Sequence, residues 1–198
     1  AVDLLKRNPT TIEDVNAIRA AVFKSPQHWM KLEHFVCDVL KEGDADYEQK
    51  HAIGLAVLGM YDKAEPKLEA LRETPVAACL LGRIYQETGR AREAIDIFKK
   101  VHKRVPEVSL YLALLAESYE IADDLDGFRR ELESLEAIAP KDSQTLFLKG
   151  LSMERDGEYE DAKENYIRAN DSNPANVSAL FTLAYRLDLE GRDDDTRA

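Results

Sequence analysis

Three groups of residues have types and spacings that could do chemistry, and all of them concern ions. Asp124, Asp126, Gly127 and Glu133 occupy the relative places 3, 5, 6 and 12 of a calcium-binding loop, in which spaced carboxylates converge on one centre. The first ligand of that loop would be Ala122, which has no donor atom in its side chain. His34 and Cys37 lie three apart and could share a metal on one helix face. No second such pair is near in sequence, so a packed cysteine beside a surface histidine is the reading adopted. Asp193, Asp194 and Asp195 open a short helical stretch, where acids complement the helix dipole. No phosphate loop, nucleophile elbow or zinc-hydrolase pattern occurs. These residues predict no catalytic group, no cofactor and no metal.

The elements that would position any site follow from a ruler in the chain. Pro106, Pro140 and Pro174 stand 34 residues apart, a period typical of stacked helix–turn–helix units. With the prolines at repeat position 32, full units span 75–108, 109–142 and 143–176, and a partial one begins at Val177. Position 8 is always tiny: Gly82, Ala116, Gly150 and Ala184. A small side chain there lets the second helix approach the first. Position 15 is Gly89, Asp123, Gly157 and Gly191. A glycine at the end of the first helix takes positive φ without a Cβ penalty. Asp123 in that place, followed by Phe128 where Ala94, Ala162 and Thr196 stand in the other units, predicts a distorted junction. Position 24 carries Phe98, Leu132 and Tyr166, and position 27 carries Val101, Leu135 and Ala169, all on one helix face. A shorter unit over 45–74 is centred on Gly59, with Ala52, Leu55, Ala64, Leu68 and Leu71 as its core. Pro66 fits its second helix if that helix starts near Asp62.

This pattern resembles the tetratricopeptide repeat family, most closely through Leu81-Gly82, Tyr85, Gly89, Ala94, Phe98 and Pro106. The family's usual aromatic at position 4 is replaced by Ala78, Leu112, Leu146 and Leu180. The resemblance implies an all-α fold, a right-handed superhelix of antiparallel helix pairs. It also implies that positions 2, 5, 9, 12 and 13 line a concave face. In the first full unit these are Val76, Cys79, Arg83, Gln86 and Glu87. In the later units they supply an apolar stripe, Leu110, Phe147, Leu151, Phe181 and Tyr185, with Ala113 beside it. The acids Glu117, Glu120, Glu154 and Asp188 border that stripe. The clamp by which some family members hold a chaperone's terminal carboxylate is not matched, because Cys79, Arg83, Ala113, Leu114, Gln144 and Leu148 include a single base.

A second resemblance rests on Leu4-Leu5-Lys6, on Ile12 and Ile18-Arg19-Ala20-Ala21-Val22-Phe23, on Ala179-Leu180-Phe181, and on Asp193-Asp194-Asp195-Thr196. These stretches resemble planctomycete repeat proteins carrying a C-terminal module like that of the RNA polymerase alpha subunit. That implies a larger, transcription-related protein.

Residues 1–44 are expected to form capping helices. One starts at Thr10-Thr11 with Ile12, Val15, Ile18, Ala21 and Val22 inward. Another starts at Ser25-Pro26 with Trp29, Leu32, Phe35 or Val36, and Val39-Leu40 inward, and ends at Gly43. At the other end Leu180, Leu183, Ala184 and Leu187 lack part of their cover. This predicts a longer natural protein, or pairing of the open end with another copy.

The net charge of −11 lies wholly after residue 108, which disfavours nucleic acid and favours a basic or amphipathic protein or peptide partner. No apolar stretch is long enough to span a bilayer, and residues 1–20 have no secretory core. Two cysteines without a framework suit a reducing, cytoplasmic setting. The function expected is a non-catalytic interaction scaffold. An accessory array of an enzyme such as a glycosyltransferase, and a structural oligomerisation module, stay open as alternatives.

Overall fold

A computed structural model describes residues 1–174 and 176–189. Among them the chain forms twelve α-helices and no strand. It divides into two compact units, the first Ala1–Arg104 and the second from Val105 onward.

The first unit holds α1 (Val2–Lys6), α2 (Ile12–Val22), α3 (Pro26–His34), α4 (Tyr47–Val57), α5 (Tyr61–Ala70), α6 (Pro75–Glu87) and α7 (Ala91–Arg104). Helix α2 starts with a capping box: Thr11 Oγ1 accepts from the Asp14 amide, and Asp14 accepts from the Thr11 amide. Ser25 caps α3 with Pro26 in its first turn, as its sequence predicts. The end of α3 differs from expectation. It widens into a π turn over Phe35–Val39, and the chain leaves the helix at Leu40, before Gly43. The extra residue in that turn rotates the face, so Phe35 and Val36 are both buried while Val39 is exposed. Val36 and Leu5 then press on α4 at Gly54, where an added Cβ would meet both side chains. Helices α2 and α3 begin 35 residues before α4 and α5, which extends the pairwise spacing into the segment where the sequence pattern fades. Pro66 lies inside α5, which starts at Tyr61, one residue from the expected Asp62.

The second unit holds α8 (Ser109–Ile121), α9 (Leu125–Ile138), α10 (Ser143–Arg155), α11 (Tyr159–Ser172) and α12 (Val177–Leu189). Pairs α8–α9 and α10–α11 pack across short turns, and α12 packs on α11 and α10. Thr196 and Asp193–Asp195 lie outside the described residues, so the expectations placed on them do too.

The same turn closes four helix pairs. Gly59, Gly89, Asp123 and Gly157 all have φ between +57° and +84°. The next residue's amide then bonds a carbonyl five residues back: Met60 to Leu55, Arg90 to Tyr85, Asp124 to Tyr119, and Glu158 to Met153, at 2.7–3.0 Å. The junction at Asp123 is therefore not distorted. Aspartate is among the residues that tolerate this left-handed geometry, and Arg155 Nη1 holds its carboxylate at 2.9 Å.

Close approach within each pair follows the eighth residue of the first helix. A Cβ on Gly82 would lie under 3.0 Å from three atoms of the Phe98 ring, and one on Gly150 would collide with Tyr166. The middle pair has Ala116 and a smaller Leu132 at the equivalent positions, both buried. Its glycine contact is at Gly127, whose missing Cβ makes room for the Tyr119 ring. That glycine belongs to packing and not to a calcium loop. Asp124 is spent capping α9, accepting from the Gly127 amide at 2.9 Å.

Gly82→Ala should lower stability by about 1–2 kcal/mol net, because overpacking outweighs the better helix propensity of alanine. Urea titrations should show the pair coupled: adding Phe98→Leu to Gly82→Ala should cost less than the two single changes summed. Simple additivity would contradict this account of the close approach.

Candidate partner-binding face

The facing residues of the first full unit do not form an open surface. Helix α6 is buried around most of its circumference, including Val76 and Cys79. Burial pushes the Cys79 thiol up to about 12, so it is an inert packed group. Glu87 accepts a short hydrogen bond from the Tyr61 hydroxyl.

In the second unit the predicted residues divide. Leu110, Glu117, Glu120, Leu151 and Glu154 are half-buried, and Phe181, Tyr185 and Asp188 are exposed. Phe181 keeps 73% of its surface and Tyr185 56%. They stand four apart on α12 and so share a face. Ala113 and Phe147 are buried instead, at 2% and 6% exposure. Phe147 turns its ring onto Tyr166 of α11, with centroids 5.8 Å apart, and belongs to the α10–α11 core. Leu180, expected to lack cover, is exposed, and Leu183, Ala184 and Leu187 are half-buried.

The acidic border is less negative than its sequence suggests. Arg155 bonds Glu120 at 2.7 Å and Asp123 at 2.9 Å. Arg186 pairs with Glu154 and lies 4.8 Å from the centre of the Tyr159 ring. Glu154 also accepts from the Tyr166 hydroxyl at 2.7 Å. Glu120, Leu151, Glu154, Arg155, Tyr159 and Arg186 line a hollow of about 360 Å³. Arg186 and Tyr159 were not among the expected site residues. The signal was present as spacing: Arg155 follows Asp123, and Arg186 follows Glu154, by 32 residues, which places each arginine one repeat along and beside its acid. The other candidates for chemistry do not assemble. His34 pairs with Asp38 at 2.8 Å beside an exposed Cys37, and the described residues contain no cluster of metal-ligating groups. No described helix is long and apolar enough to cross a membrane.

Residues 76–103 match the tetratricopeptide repeat family, which covers α6 and α7. The same fold occurs in solved structures. MamA 41-end from Desulfovibrio magneticus RS-1 is 14% identical with a TM-score of 0.57, covering 82% of this chain and 94% of that one. The MamA RS-1 ArsTM double mutant is 16% identical with a TM-score of 0.56, covering 83% and 95%. A further crystal structure of MamA is 17% identical with a TM-score of 0.53, covering 73% and 87%. At these identities the likeness is one of fold. No curated protein matches the sequence. Residues 76–103 thus form a tetratricopeptide-type repeat, and α4–α5, α8–α9 and α10–α11 close with the same turn.

Burial first, and the bond to Glu154 second, push the Tyr166 phenol far above its usual range, and the Tyr85 phenol is pushed up to about 12. A raised folded-state value keeps its stabilisation below the unfolded tyrosine value of about 10 and loses it as pH rises beyond that. The urea midpoint should therefore fall above about pH 10, and fall less in Tyr166→Phe. An equal alkaline fall in both proteins would contradict the burial of this phenol.

Proposed function

We propose that the chain is a non-catalytic scaffold whose second unit binds a protein partner across α8, α10 and α12. The observation that carries this reading is the pair Phe181 and Tyr185, exposed on α12, the helix that also brings Arg186 to the hollow around Leu151 and Glu154. Large aromatics outside the core, on a helix that also lines a concave polar pocket, suit the anchors of a partner helix. Charge supports a basic or amphipathic partner. The surplus of acids falls in this part of the sequence, and Arg129, Arg130, Lys149, Arg155, Lys163 and Arg186 are each ion-paired to its own acids. Because Glu120 and Glu154 are neutralised internally, the apolar anchors contribute most of the affinity and the outer acids contribute steering. Helices α1–α3 and the π turn that follows, which bury Leu5 and Val36 against α4, serve as the cap of the array.

A fluorescent amphipathic helical peptide of leucine and lysine is the probe. Wild-type protein should bind it, less tightly as salt rises. The Phe181→Ala/Tyr185→Ala variant should bind at least about tenfold more weakly with its helicity unchanged, as loss of anchor residues entails. Equal affinity in the two proteins would remove the proposed face.

A further inference from the structure

Two cations of the first unit lack the partners that every comparable cation has. Eight lysines and arginines are half-buried among the described residues. Six of them are paired with an acid: Lys50, Lys67, Arg90, Lys149, Lys163 and Arg186. Arg19 of α2 and Arg83 of α6 are not, and among the described residues neither has a hydrogen-bond partner. This occurs in a chain whose net charge is −11, where acids are plentiful.

The two guanidiniums share one neighbourhood. Helices α2 and α6 both pack on α4. Burial raises the Cys79 thiol, the charges of Arg83 and Arg19 both oppose that rise, and Glu13 adds to it. The Tyr61 phenol, raised by burial and by its bond to Glu87, feels both arginines as well. Charges that act on the same two side chains face the same small patch. Their lack of partners has a cause in the sequence. The one acid of α4 is Glu48, which is paired with Lys67. Beyond Lys50 that helix carries only His51 and small or apolar residues. Glu87, one turn past Arg83, accepts instead from the Tyr61 hydroxyl.

A half-buried guanidinium has lost part of its hydration and keeps its N–H donors in a planar fork. Two such forks on one patch match the oxygens of a carboxylate or of a phosphate. The neighbouring acids decide between them. Glu13 and Glu87 act at the same patch, so its field at a distance is weak. A phosphate dianion would meet two like charges there, and a free ion would not be drawn in. A single carboxylate carried by a bound chain gains the short-range hydrogen bonds against half that repulsion.

We infer that Arg19 and Arg83 together receive the side-chain carboxylate of an aspartate or glutamate presented by a partner protein. The site lies wholly within the first unit and is independent of the face on the second.

The full chain, labelled at arginine, is titrated with a glycine-serine peptide that carries a central pair of glutamates and has both ends blocked, so that its only carboxylates are side chains. The Nε–Hε resonances of Arg19 and Arg83 should both shift saturably, with a Kd on the order of a millimolar for so short a probe. Arg19→Gln and Arg83→Gln should each weaken binding at least about fivefold. Their urea midpoints should stay at the wild-type value, because no native ion pair is lost. Arg83→Lys should also bind more weakly than wild type, since an ammonium lacks the planar fork. Arg92→Gln, which removes an exposed arginine of α7, should bind as wild type does. Any of four results overturns the inference: no saturable shift at the two arginines, full affinity in either glutamine variant, an equal loss in Arg92→Gln, or tighter binding of a serine peptide that offers a free carboxyl terminus or a phosphoserine in place of the glutamates.

Discussion

The structure depends on how closely the second helix of a pair can approach the first. In two pairs an aromatic ring lies directly on a glycine, Phe98 on Gly82 and Tyr166 on Gly150. In the pair between them, Ala116 and Leu132 hold the equivalent positions, both buried. The contact matters beyond the core because Tyr166 has a polar end. Its ring fills the space over Gly150, and its hydroxyl holds Glu154, which in turn pairs with Arg186 of α12. A single side chain thus links the packing of α10 and α11 to the placement of the helix that carries Phe181 and Tyr185. Surface ion pairs contribute little alone. This one gains from being half-buried and from sharing an acceptor with a buried phenol.

The parts of this architecture legible from sequence are those governed by local geometry and strict period. The turn residues at 89, 123 and 157, the tiny residues at 82, 116 and 150, and the core at positions 24 and 27 occupy their expected places. The caps at Thr11 and Ser25 were equally plain, since a cap needs only its own first turn. Features decided by neighbours distant in sequence were not legible. Phe147 has the spacing of a surface residue, but its ring finds Tyr166 in the next helix. Gly127 has the spacing of an ion-binding loop, but Tyr119 requires its missing Cβ. The π turn at Phe35–Val39 leaves no periodic trace, so one buried position was expected where two occur. The acids Glu120 and Glu154 looked free because their arginine partners lie about one repeat further along.

The two units use the same helix-pair plan to different ends. In the first, the leading helix α6 is enclosed on most sides, packed on α4, α5 and α7. In the second, α8 and α10 also bury most of their apolar residues, whereas α12 leaves Leu180, Phe181 and Tyr185 exposed. The difference follows from which helices lie alongside, with the turn between paired helices unchanged. A helical-repeat array can therefore vary its binding surfaces without altering the turns that define it.

Hydrogen exchange along the full chain, with and without a saturating leucine–lysine amphipathic peptide, tests most directly whether the second unit presents the binding face. The account predicts added protection in α10 and in 177–189, with α4 and α6 unchanged. Protection confined to the first unit, or none in α12, would contradict it.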